Sequence, residues 1–117
     1  MNTDSFKDFV LDQMSDLPGV VCRAMFGGYG LYREEVFFGI LHKGRLYLKT
    51  DTATAGAYRE RGMKPFRPNA TQTLKTYYEV PVEVLEDQEA LVAWADRASR
   101  CRPEKKSGRR TVRRAKR

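Results

Sequence analysis

The chain has 117 residues, 41% of them hydrophobic and 11% aromatic, with a formal charge of +7, which suits one globular domain with a modest core and leaves no room for a second. No apolar run approaches the roughly 20 residues that span a bilayer. The acidic N-terminus lacks the basic segment and apolar stretch of a signal peptide, so a cytoplasmic location and no membrane partner are expected.

Thr3 or Asp4 is placed to cap a first helix in which Phe6, Phe9, Val10, Met14 and Leu17 recur at helical spacing, while Lys7, Asp8 and Asp12 fall elsewhere. Pro18-Gly19 stops it. Val20 to Met25 alternates only in part, yet its β-branched pair and the following Gly27-Gly28 predict a strand ending at a turn or bulge, with Tyr29 to Arg33 as its partner. Val36 to Leu41 is apolar almost without a break, the pattern of a central strand covered on both faces. Strict alternation sets Phe37, Gly39 and Leu41 on one face and Val36, Phe38 and Ile40 on the other. Lys43-Gly44 reads as a short hairpin loop in which Gly44 takes positive φ, and Leu46 and Leu48 then alternate with Arg45, Tyr47 and Lys49.

Asp51 or Thr52 begins a short Ala-rich helix through Arg61, weakened by Gly56 and ended by Gly62. Met63 to Phe66 is a short edge strand interrupted by Pro65, Arg67-Pro68-Asn69-Ala70 a polar turn, and Leu74 to Val80 a further strand closed by Pro81. Asp87 caps a last helix with Leu91, Trp94, Ala95 and Ala98 along one face and Val92 at its margin. The expected fold is α+β, a mainly antiparallel sheet flanked by three helices, in the order helix, three or four strands, helix, two strands, helix.

Charge is unevenly spread. From Cys101 onward nine Lys and Arg face one acid, Glu104, so this segment is +8 and residues 1–100 come to −1. Val112 is its one large aliphatic residue, too little apolar surface to offset ordering entropy, so a domain at 1–100 followed by a disordered basic tail at 101–117 is expected. Arg102, Lys105, Lys106, Arg109, Arg110, Arg113, Arg114, Lys116 and Arg117 are the candidate nucleic-acid-binding residues, a polycation that would contact duplex DNA phosphates without reading bases. A tail serving solubility alone is the alternative.

Other motifs point away from catalysis. Gly28-x-Gly30 lacks the third glycine and the helix N-terminus of a phosphate loop, so Gly27, Gly28 and Gly30 are read as serving a tight turn or close backbone packing. The single histidine, His42, sits beside a hairpin turn and is read as solvent-facing. Cys22 and Cys101 have no paired spacing and are read as reduced structural thiols. Glu34-Glu35 and Glu86-Asp87 fall at a turn and a helix start, as caps or solvated charge. No catalytic residue, cofactor-binding residue or metal ligand is assigned. Tyr29, Tyr32, Tyr47, Tyr77 and Tyr78, with Arg33, Arg45 and Lys49 nearby, serve either packing and protein contact or base stacking, and Tyr77 and Tyr78 face opposite ways.

MFGGYGLY at Met25 to Tyr32, GRLYLK at Gly44 to Lys49, GMKPF at Gly62 to Phe66, and YYEVPVEVLED from Tyr77 with Trp94-Ala95 together resemble the TfoX N-terminal domain family, over roughly residues 5–100. The resemblance implies an α+β domain similar in fold to type III secretion chaperones. It also implies a role like that of TfoX/Sxy proteins, positive regulators of natural competence that work with the cyclic-AMP receptor protein at particular promoters and are not known as enzymes. Two-domain members carry a further C-terminal helical domain, and here a basic tail stands in its place.

The expected function is therefore that of a non-catalytic regulator acting through a transcription factor or other regulatory protein. A nucleic-acid-binding protein acting mainly through residues 101–117 is the alternative, and a small-molecule enzyme a third class. A homodimer is also expected, because both sheet faces want cover and three short helices cover one.

Overall fold

The computed structural model describes residues 3–25 and 27–101, with side chains from Ser5 onward. Its elements are α1 (Thr3–Gln13), β1 (Val20–Met25), β2 (Gly28–Arg33), β3 (Val36–His42), β4 (Arg45–Lys49), α2 (Ala55–Glu60), β5 (Pro65–Asn69), β6 (Gln72–Glu79), α3 (Val82–Leu85) and α4 (Gln88–Arg100). The strands form one antiparallel sheet ordered β1-β2-β3-β4-β6-β5, so the fold is α+β and β3 is an inner strand, as its apolar run requires. The cap expected from Thr3 or Asp4 lies outside the described side chains, and the expected disordered tail, from Arg102 on, outside the described residues.

The described helices number four, not three. Pro81, held at φ −63° with extended ψ, enters one extra turn, α3, which the short VEVL run was too brief to signal. α2 begins later than expected because the Asp51 carboxylate accepts from the amides of Ala53 and Thr54, which fixes a turn ahead of the helix. At the edge, β5 extends through Arg67, Pro68 and Asn69, residues expected in a turn. A missing N–H is harmless on an outer strand, and the turn itself falls at Ala70–Thr71, where Asn69 Oδ1 accepts from the Thr71 amide.

All four described helices join one apolar core: Phe6 and Val10 from α1 with Met14 just after it, Tyr58 from α2, Val84 from α3, and Leu91, Ala95 and Ala98 from α4. The sheet meets them with Leu31, Phe38, Leu41, Leu46 and Leu48. The helices therefore cover a single face of the sheet.

Phe38 and Leu41 both enter this core although they stand three positions apart, which strict alternation forbids. The pairing of β2 with β3 explains it: Leu31 opposes Gly39 while Tyr32 opposes Phe37, so Phe38 is an extra, bulged residue. The bulge inverts the phase. Phe38, Gly39 and Leu41 look toward the helices, and Phe37, Ile40 and His42 away from them, which corrects the alternation expected from the sequence.

Cys101, counted with the tail in the sequence, is 6% exposed. Its thiol donates to the Lys49 carbonyl, which anchors the end of α4 to β4.

Candidate functional site

The sheet face away from the helices is built in three cross-strand rows. The strand register aligns Val21, Tyr32 and Phe37 in the first, with Lys49 and Tyr77 paired beyond them. The second runs Arg23, Gly30, Ile40, Tyr47, Glu79, and the third Met25, Gly28, His42, Arg45. Glycine is required in two of these rows. A Cβ at Gly30 would lie 2.9 Å from the Phe37 ring and 3.0 Å from Met25 Sδ, and one at Gly28 would collide with the Leu41 carbonyl.

Without side chains at those positions, the neighbours close over the backbone. Tyr32, Phe37 and Tyr77 form a continuous ring cluster with centroids 5.2 and 5.5 Å apart. A second cluster joins His42, Phe66 and Tyr47 at 5.2 and 4.6 Å, with Phe66 leaning in from β5. Between the clusters and the β5–β6 hairpin lies a groove of about 290 Å³ lined by Met25, Ile40, Phe66, Pro68 and Leu74, with His42 and Gln72 at its polar margin.

Tyr77, Tyr47 and His42 on this face are each shifted toward the neutral form. Burial pushes Tyr77 up to about 12, with Tyr32 adding to the shift. Burial, then the Glu79 carboxylate, raises Tyr47. Desolvation, then Lys43, lowers His42. His42 is thus half-buried against Phe66 and not solvent-facing, because the β5–β6 hairpin folds over the end of the sheet that carries it.

Formal charge separates between the layers. The strands carry Arg23, Arg33, Arg45, Lys49, Arg67 and Lys75 but one acid, Glu79, and Arg45 grips that acid at 3.1 Å. From Leu17 to Arg33, Val36 to Thr50 and Arg61 to Tyr78 no acidic residue occurs. The other acids of residues 1–100 sit in α1, at the end of α2, in the turns and around α3 and α4. Summing residues 1–100 conceals this, since a near-zero total holds a basic sheet and a more acidic helical side.

The residues singled out in the sequence divide between the two faces. By register Tyr32, Tyr47 and Tyr77 share the open face with Arg45 and Lys49, and Lys49 also lines a pocket with Tyr58, Trp94 and Arg97 beside α2 and α4. Tyr29 and Tyr78 turn to the helices, the latter against Tyr58, so Tyr77 and Tyr78 do face opposite ways. Arg33 also leaves the open face and is held by Asp96, Ser99 and the Pro18 carbonyl. Glu34 and Glu35 form the β2–β3 turn, both at positive φ. Cys22 and Cys101 are free thiols raised chiefly by burial. Among the described residues no three His, Cys, Asp or Glu converge as metal ligands, and no helix is long and apolar enough to cross a membrane. Arg102, Lys105, Lys106, Arg109, Arg110, Arg113, Arg114, Lys116 and Arg117 lie outside the described residues. The groove residues Ile40, Phe66, Pro68 and Leu74 were missed as a group, because only the sheet order brings β3, β5 and β6 together.

The sequence profile of the TfoX N-terminal domain family matches residues 12–101. The chain belongs to the TfoX N-terminal domain family. It is also 33% identical over 60 residues to the DNA transformation protein TfoX1 of Aliivibrio fischeri, a stretch covering 50% of this chain and 29% of that protein. The matched stretch therefore spans less than a third of that relative's length. In this TfoX-type domain, the stretches that carry the family resemblance converge on the open face. MFGGYGLY supplies Met25, Gly28, Gly30 and Tyr32, GRLYLK supplies Tyr47 and Lys49, GMKPF supplies Phe66, and YYEVPVEVLED supplies Tyr77 and Glu79.

Proposed function

We propose that this protein is a non-catalytic, cytoplasmic regulator of competence-related gene expression that docks a transcription factor or other regulatory protein on the open face of its sheet. One observation carries this reading: an aromatic and aliphatic sheet face, with its own groove, stands opposite the face that all four described helices cover. Tyrosine-rich, half-buried surfaces of this kind suit protein partners, because each ring offers a large apolar area and a polar tip. The name of the Aliivibrio relative supplies the link to DNA transformation.

The test is deletion of the gene in its native host, with transformation frequency and competence-gene transcripts as readouts. Both should fall and be restored by the full chain. Unchanged frequency and transcripts under competence-inducing conditions would overturn the reading.

The nine Lys and Arg of residues 102–117 favour a second, compatible activity, sequence-independent contact with duplex DNA. A homodimer through the open face is the weaker arrangement. Two copies meeting there would bring two basic faces together, each carrying Arg23, Arg45 and Lys49.

A further inference from the structure

We infer that the segment taken by the open face is an acidic, amphipathic stretch of the partner protein, with a bulky apolar side chain entering the groove between Met25, Ile40, Phe66 and Leu74 and its carboxylates meeting Arg23 and Lys49. This rests on the proposed regulatory reading only in that both require a protein on this face.

Charge complementarity selects the partner. Among the described residues neither Arg23 nor Lys49 is held by a carboxylate, and the one acid of the strands, Glu79, is neutralised by Arg45. Arg23 lies over the Tyr32 ring at 5.2 Å, which fixes it at one margin of the aromatic surface. Lys49 pairs with Tyr77 in the β4–β6 register, at the end of β4 that also lines a pocket with Tyr58 and Trp94 beside α2 and α4. The second row is apolar at Ile40, whose 5% exposure puts it at the floor of the groove. Met25, 37% exposed, stands at the rim. An apolar stripe bounded by cations is complementary to a helix or strand with apolar anchors and acidic flanks.

Other occupants fit less well. The chain's own C-terminal segment is cationic and would be repelled. A second copy offering its acidic α1 to this basic face would make a head-to-tail contact, which builds rings or open chains and not a two-fold dimer. Single-stranded nucleic acid stacks on free ring faces, whereas these rings pack on one another at 39–50°, and the groove walls are largely aliphatic.

The chain contains two unique reporters on opposite faces. Ile40, the sole isoleucine, sits in the groove, and Trp94, the sole tryptophan, packs edge-on against Tyr58 on the helix side. The full-length protein, labelled at the isoleucine δ1 methyl and the indole nitrogen, is titrated with a peptide of about 15 residues carrying Leu and Phe at i, i+3, i+4 and i+7 and Glu elsewhere. The Ile40 methyl should shift on binding while the Trp94 indole holds still. Met25→Glu and Lys49→Glu, both at partly exposed positions, should each weaken binding about tenfold, and a peptide with Lys in place of Glu should leave Ile40 unmoved.

Four results would each overturn the inference. Ile40 does not move; both variants bind as the parent does, which makes the basic tail the attractor; oligothymidylate of equal length moves Ile40 at lower concentration than the peptide; or Ile40 shifts on dilution of the protein alone, which puts a second copy in the groove. If the peptide fails while gene deletion still lowers transformation, the partner chemistry is wrong and the regulatory reading stands.

Discussion

Replacing Asp96 by Asn tests whether the clasp that ties the sheet to α4 is electrostatic. Arg33 ends β2 and donates from Nη1 to the Asp96 carboxylate and, at 3.1 Å, to the Ser99 hydroxyl, while its Nε donates to the Pro18 carbonyl at 2.9 Å. One side chain thus gathers β2, α4 and the turn before β1. Exposed ion pairs contribute about 0.2–1 kcal/mol, whereas removing one partner of a buried pair costs about 3–5 kcal/mol. The Arg33 side chain is 15% exposed and that of Asp96 33%. Asn keeps the size and Arg33 keeps two acceptors, so a loss of about 1–2 kcal/mol is expected, or about 4–16 °C in Tm for a domain of this size.

The pH dependence of that loss has a definite sign. The hydrogen bond from Arg33, the largest cause, holds the Asp96 carboxyl below its usual range against the opposing effect of desolvation, and Arg100 adds to the lowering. A depressed carboxylate stabilises the fold above its unfolded value of about 4, and the contribution fades as pH falls through the folded value. Thermal melts by circular dichroism should show the parent-to-variant gap constant near neutrality and closing in acid. A gap within error at pH 7, or one as wide at pH 2 as at pH 7, would refute the reasoning.

Three further outcomes are expected. Glu34 and Glu35 sit at φ 52° and 69°, a two-residue turn geometry that Asn-Gly adopts with little strain, so the pair Glu34→Asn, Glu35→Gly should stabilise the domain by about 1 kcal/mol, and a lowered Tm would count against the backbone assignment. Gly30→Val, whose first added atom meets Phe37 at 2.9 Å, should cost about 1–3 kcal/mol by overpacking and alter the near-ultraviolet signal of the aromatic cluster. With about five to eight tail charges on duplex DNA, log K should fall with log salt at a slope of roughly −4.5 to −7, and a chain ending at Cys101 should lose that binding while keeping its melting transition.

The legible part of the fold follows from local rules. The Val20–Met25 and Val36–Lys49 strands, the Lys43-Gly44 turn and the α4 stripe rest on alternation, positive-φ glycine and helical spacing, and these hold wherever the local pattern decides. The Phe38 bulge does not, because a single extra residue is invisible until β2 and β3 are paired, yet it decides that Phe37 and Ile40 belong to the open face. The arginines show the same limit. Arg33 and Arg45 both lie on strands, but only the register sends one to Asp96 and the other to Glu79. The groove joins residues from β1, β3, β5 and β6, and no spacing along the chain brings these together.

The central claim, that regulation runs through the open sheet face, is tested most directly in the native host lacking its own copy of the gene. Competence-gene transcripts are compared after expression of the parent chain, the Met25→Glu, Lys49→Glu double variant, and the chain ending at Cys101, at matched protein levels and with both variants shown to melt cooperatively. The sheet-face variant should lose the transcript response while the shortened chain retains it in direction if not in full size. A sheet-face variant that restores transcripts as well as the parent, beside a shortened chain that restores none, would contradict it.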